Sequence, residues 1–194
     1  MAESINQKVV NYIVSSIKNV ICIYIGGSYL TNTIDDESDR DIMVITKGVS
    51  KEQLQVIYPS QYWSSFFFKP IESFYALEQL NLSIDLYPVH LSSLQREDLV
   101  YEAEGAKEIL DKLFENKEVI SHKACKLLLA QNRNKIEKTV KDFKFEKVFY
   151  HFIYAYGILT KTQIDKQLLI DIKRGRNNAA CLEYLNKIHE FLIS

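Results

Sequence analysis

Residues 20–25, Val-Ile-Cys-Ile-Tyr-Ile, are apolar without interruption and stop at Gly26-Gly27. A run this short cannot complete a buried helix. It reads as a strand covered on both faces, so the chain must supply a layer for each side of it. A second run, Asp-Ile-Met-Val-Ile-Thr at 41–46, is ended by Lys47-Gly48 and reads as the next strand. The polar, acidic stretch 31–39 between them is a loop. Ile5, Val9, Tyr12, Ile13 and Ile17 recur at helical spacing ahead of the first strand and predict a helix over 4–19, with Ser4 as a cap. Further on, 50–57 reads as a short helix, Trp63 to Phe68 as a strand broken by Pro70, 71–80 as helical and 82–89 as a third strand.

From about residue 91 the apolar period becomes helical. Segments near 93–115, 119–139, 143–160, 165–174 and 178–192 are predicted helices. Phe143, Phe145, Phe149, Tyr150, Phe152, Ile153, Tyr154 and Tyr156 surround nearly a whole helix, which marks a packed core helix and not a base-stacking platform. The fold class is therefore α+β: a mixed, mostly antiparallel sheet with helices, followed by a C-terminal helical bundle. The change of period falls between about 92 and 118 with no flexible linker. We divide the chain into an α/β core at 1–92 and a helical region packed on it at 93–194.

Composition narrows the function classes. The formal net charge of −1 gives no global basic field for non-specific nucleic-acid binding. Cys22, Cys125 and Cys181 are odd in number and lack a CxxC pair, which argues against a disulfide framework or structural zinc and for a reducing compartment. The N-terminus lacks a secretory pattern, and no apolar run reaches the ~18 residues of a membrane span. A soluble cytoplasmic protein without membrane contact is expected. His90, His122, His151 and His189 share no metal-ligand spacing.

Chemistry concentrates in Gly26-Gly27-Ser28, ten residues, then Asp39-Arg40-Asp41. With a period of two, Asp39 and Asp41 point to one side at the start of the second strand. Two such carboxylates suit a hard divalent cation. Asp85 lies within the third apolar strand, where a carboxylate needs a partner or a metal. Should that strand lie beside the second, three carboxylates converge, enough for two metal ions or for one ion and a general base. Gly27 permits close backbone approach, and the Ser28 hydroxyl can donate to an anionic oxygen.

The pattern Gly27-Ser28-x10-Asp39-x-Asp41, with Ser38 before Asp39, resembles the DNA polymerase β-like nucleotidyltransferase superfamily, and most closely its small stand-alone members. The resemblance implies magnesium held by Asp39, Asp41 and Asp85, and a nucleoside triphosphate, expected to be ATP, gripped by Gly27 and Ser28. The product is an acceptor carrying a nucleoside monophosphate, with pyrophosphate released. Asp85 completes the metal site or takes the acceptor's proton. Family members often have a small or basic residue and then glycine soon after the serine. Here Tyr29-Leu30-Thr31-Asn32 stands there, and Asn32 is a residue that tolerates a left-handed backbone. The loop acids Asp35, Asp36 and Glu37 are expected to face solvent.

Lys173-Arg174-Gly175-Arg176 reads as an ordinary helix end, with basic residues in the last turn and glycine beyond it. A small-molecule or protein acceptor is therefore favoured over a nucleic acid. The alternative function is a catalytically silent nucleotidyltransferase-like domain that binds nucleotide or a partner protein.

Overall fold

The computed structural model describes residues 7–16, 19–34, 42–46, 75–77, 82–84 and 88–194. The strand predicted from the first apolar run is present over the same residues, β1 (Val20–Ile25), and all six are buried. On one side it pairs antiparallel with β2 (Ile42–Thr46), Ile25 lying opposite Ile42 and Ile23 opposite Val44. On the other it pairs with β5 (Leu99–Glu102). β4 (Leu82–Ile84) adds to the far side of β2 and pairs with β3 (Tyr75–Leu77), giving the order β3-β4-β2-β1-β5. Every described pairing is antiparallel.

Burial of β1 along its whole length agrees with its composition. The helix α1 (Gln7–Ser16) buries Val10 and Ile13. Cys22 and Tyr24, with Ile45 of β2, pack against Leu91 and Leu94 and against Leu110, Leu113 and Ile120 of the long helix α2 (Lys107–Gln131). The next stretch of α2 buries Ala124, Cys125, Leu128 and Leu129 in a second core. It is shared with α3 (Arg133–Lys141), α4 (Phe149–Thr160), α5 (Lys166–Lys173) and α6 (Asn178–Ile193). A helix of 25 residues is ~37 Å long. Because α2 belongs to both cores, the change of period in the sequence carries no linker. The aromatic segment forms the core helix α4, where Phe149, Phe152 and Ile153 are fully buried.

Three readings of the sequence are corrected. Residues 71–80 contain a strand, Tyr75–Leu77, in place of the predicted helix, because the pairing with Leu82–Ile84 outweighs local spacing. The third strand does not run to 89: Pro88–Ser93 is a 3-10 segment, and proline has no N–H to give to a ladder. The predicted helix at 93–115 starts only at Lys107. Ahead of it, Arg96–Asp98 makes a 3-10 turn, and Leu99–Glu102 is drawn into the sheet by the open edge of β1. The predicted elements at 50–57 and 63–68, and the cap at Ser4, lie outside the described residues.

Candidate active site

β1 delivers its last residue, Ile25, directly opposite the first described residue of β2, Ile42. The chain leaving β1 at Gly26 and the chain entering β2 therefore meet at one end of the sheet. Gly27 holds φ +58 and Asn32 φ +53, so the loop turns through the left-handed region at a glycine and at an asparagine, the two residue types that accept it most readily. Between them the loop closes on itself. The N–H of Thr31 donates to the Gly27 carbonyl at 3.3 Å, that of Asn32 to Tyr29 at 3.1 Å and that of Thr33 to Ser28 at 2.9 Å. Among the described residues no backbone carbonyl takes the N–H of Gly27 or Ser28.

The Ser28 hydroxyl accepts a hydrogen bond of 2.6 Å from the Nζ of Lys173, a residue 145 positions away. Lys173 is only 5% exposed. An ammonium buried to that degree requires strong acceptors around it. Its position is fixed by both ends of α5. At the start, the Asp165 carboxylate caps the helix by accepting from the Leu168 N–H at 2.8 Å. At the end, Gly175 holds φ +67, its N–H donates to Ile172 at 3.0 Å and the Arg176 N–H donates to Asp171 at 2.8 Å, which is a Schellman stop. A Cβ on Gly175 would also meet the Phe145 ring at 3.1 Å. The helix-end reading of the basic cluster thus holds for its backbone. The contact of Lys173 with Ser28 is not legible in it, because a lysine in a last helical turn looks the same whether it meets solvent or the far end of a sheet.

α4 and α5 hold the loop at further points. The Tyr150 hydroxyl lies 2.7 Å from Thr31 Oγ1 and 2.9 Å from Thr33 Oγ1, and the two threonine oxygens are 2.7 Å apart. Lys166 donates to Asn32 Oδ1 at 2.8 Å. Beside Tyr150, the ring of His151 packs at 5.0 Å, and the His90 ring stacks 5.5 Å from His151 and 4.7 Å from Tyr154. His90 is 3% exposed, and among the described residues neither ring nitrogen has a hydrogen-bond partner. Burial alone holds it below the ordinary imidazole value, down to about 4, so it is neutral near pH 7. The thiols of Cys22, Cys125 and Cys181 are free and buried, and burial pushes all three up, to about 12, 12 and 11. They are poor nucleophiles at neutral pH.

Of the predicted site residues, Gly27 and Ser28 sit together at the end of β1. Asp39, Asp41 and Asp85 lie outside the described residues, as do Asp35, Asp36 and Glu37. The strand adjacency that a shared site requires is present, since β4 pairs with β2, Ile84 opposite Ile45. Among the described residues no three His, Cys, Asp or Glu side chains gather as a metal site, and no helix is long and apolar enough to cross a membrane.

Comparison with known proteins places this geometry. A search of curated proteins returned no match, and a search of solved structures returned none. The sequence model of the nucleotidyltransferase domain matches residues 8–151, which take in the Ser28 loop, the segment carrying Asp39, Asp41 and Asp85, the whole sheet and Tyr150. With the α+β fold and the Gly-Ser loop in place at the end of β1, the chain belongs to the nucleotidyltransferase domain family.

Proposed function

We propose that the protein is a metal-dependent nucleotidyltransferase that moves a nucleoside monophosphate from a nucleoside triphosphate to an acceptor hydroxyl and releases pyrophosphate. The observation that carries this reading is the ammonium of Lys173, buried against Ser28 at the end of the sheet. A serine hydroxyl, a buried cation and two adjacent N–H groups form a grip for phosphate oxygens. Ser28 and Lys173 would hold the β and γ phosphates, with Gly27 allowing their close approach.

Asp39 and Asp41 would hold magnesium, whose oxygen-ligand preference fits a carboxylate pair. Period two supports this: Asp41 has the parity of Ile45, and Ile45 packs on the side of the sheet covered by Leu91, Leu94 and α2. When bound, the ion would neutralise charge that develops on the triphosphate. The acceptor oxygen attacks the α-phosphorus, the bond to the bridging oxygen breaks, and pyrophosphate leaves. Asp85 would accept the acceptor's proton or complete the metal site. ATP is the triphosphate we propose, and a small molecule or a protein the acceptor. The boundary at 92/93 would separate the acids from Tyr150 and Lys173, which the helical region contributes.

Calorimetric titration with a non-hydrolysable ATP analogue and magnesium tests the reading. Binding should be lost in Asp39→Ala and in Asp41→Ala; unchanged affinity in both would remove the metal assignment. The second reading, a silent domain that binds nucleotide or a partner protein, is favoured if the parent chain binds the ATP analogue yet releases no pyrophosphate from ATP.

A further inference from the structure

Tyr150 sits in a helix whose neighbours Phe149, Phe152 and Ile153 are fully buried, and its own side chain is 2% exposed. Core packing asks only for its ring. The hydroxyl leaves the core and closes a triangle with Thr31 and Thr33, residues 119 and 117 positions away, at 2.7 and 2.9 Å. With the Thr31–Thr33 distance of 2.7 Å, all three oxygens lie in the normal O–H···O range. The Thr31 hydroxyl also lies 3.3 Å from the Ser28 carbonyl oxygen and 3.4 Å from that of Gly27, so the cluster reaches the Ser28 backbone directly. Thr33 is 0% exposed, so no water can replace a lost partner.

The two threonines flank Asn32, which holds φ +53, a left-handed conformation that asparagine accepts. Contacts on both sides of it fix the path of the turn. They are made by Tyr150 on either side of Asn32 and by Lys166 on its amide oxygen at 2.8 Å. The same loop carries Ser28, whose carbonyl accepts from the Thr33 N–H at 2.9 Å. A shift at Thr33 is thus passed to Ser28 through one hydrogen bond.

We infer that Tyr150 is a positioning residue of the triphosphate site: through Thr31 and Thr33 its hydroxyl holds the Ser28 loop in its binding-competent shape. This rests on the function proposed above. Its contribution is pre-organisation. If the loop spends only about a tenth of its time in that shape without the hydroxyl, apparent triphosphate affinity falls about tenfold.

α4 supplies a matched control. Tyr154, one turn on, lies 2.7 Å from Ser93 Oγ and, among the described residues, makes no hydrogen bond to the loop. Tyr150→Phe and Tyr154→Phe each remove one hydrogen-bonded hydroxyl from the same helix. Binding of a non-hydrolysable ATP analogue with magnesium is measured by calorimetry, alongside thermal unfolding. Both variants should lose a few degrees of Tm. Tyr150→Phe should bind about tenfold more weakly, and Tyr154→Phe within twofold of the parent. If Tyr150→Phe does not fold, Thr33→Val cuts the same contact from the loop side and should show the same loss. Equal affinity in parent and Tyr150→Phe, or in parent and Thr33→Val, overturns the inference while leaving the proposed function standing. A parent chain that binds no triphosphate overturns the proposed function and this inference with it.

Discussion

Acid should loosen the seam beside the Ser28 loop, and His90 sets how much. Its imidazole faces His151 at 5.5 Å and Tyr154 at 4.7 Å, with both nitrogens unpartnered among the described residues. Burial lowers its pKa from 6.5 to about 4. The folded protein therefore keeps it neutral where the unfolded chain protonates it. Above pH 6.5 the two states bind the same number of protons and His90 adds no pH dependence. Between 6.5 and about 4 the unfolded state takes up the extra proton, so stability falls as pH falls. The interval amounts to about 3 kcal/mol at about 1.4 kcal/mol per pH unit. Below about 4 the folded form protonates too and the loss stops growing. Exposed carboxylates add a slope of their own: Glu108 and Glu137 are held low by hydrogen bonds from Lys112 and Lys141 and lose that pairing in acid. The comparison must subtract them, and His90→Leu does so. Urea unfolding of parent and His90→Leu at about pH 7 and about pH 4.5 gives the double difference, expected to be about 2.5 kcal/mol. At pH 7 the variant should be no less stable than the parent, since it removes two buried unpaired nitrogens. An equal pH dependence in parent and variant would refute the reasoning.

Other outcomes follow from the site. Lys173→Met keeps the stem of the buried side chain and removes its charge; triphosphate affinity should fall about 10- to 100-fold, the range of a hydrogen bond to a charged group, as read by calorimetry. Loss of fold without loss of affinity in the folded fraction would make Lys173 structural. Asp85→Asn should retain most triphosphate affinity and lose on the order of 10²-fold in pyrophosphate release. Full activity there would remove Asp85 from the mechanism.

The sequence and the structure agree where burial is decided locally. Val20–Ile25 is a strand because six apolar residues before two glycines have no other stable use, and the same holds for Ile42–Thr46. Gly175 ends α5 as its chemistry requires, and Asn32 takes the left-handed turn it was expected to tolerate. Elements whose identity depends on a partner were misread. Tyr75–Leu77 is a strand because of Leu82–Ile84, and Leu99–Glu102 because β1 has an open edge. The same limit hid the contacts made to the Ser28 loop. Lys173 meets Ser28 across 145 positions, and the Tyr150 hydroxyl meets Thr31 across 119. A basic residue at a helix end and a tyrosine in an aromatic run each have a sufficient local explanation. Only the packing of α4 and α5 against the loop gives them a second role.

Transfer of the α-phosphate itself is the most direct test. The chain is incubated with magnesium, α-labelled ATP and a fractionated extract of small molecules and proteins, and the label and pyrophosphate are followed together. Label should appear on an acceptor in step with pyrophosphate, be lost in Asp39→Ala and Asp41→Ala and be strongly reduced in Lys173→Met. Triphosphate that binds without its label ever leaving, or transfer that survives both aspartate substitutions, would contradict the proposed function.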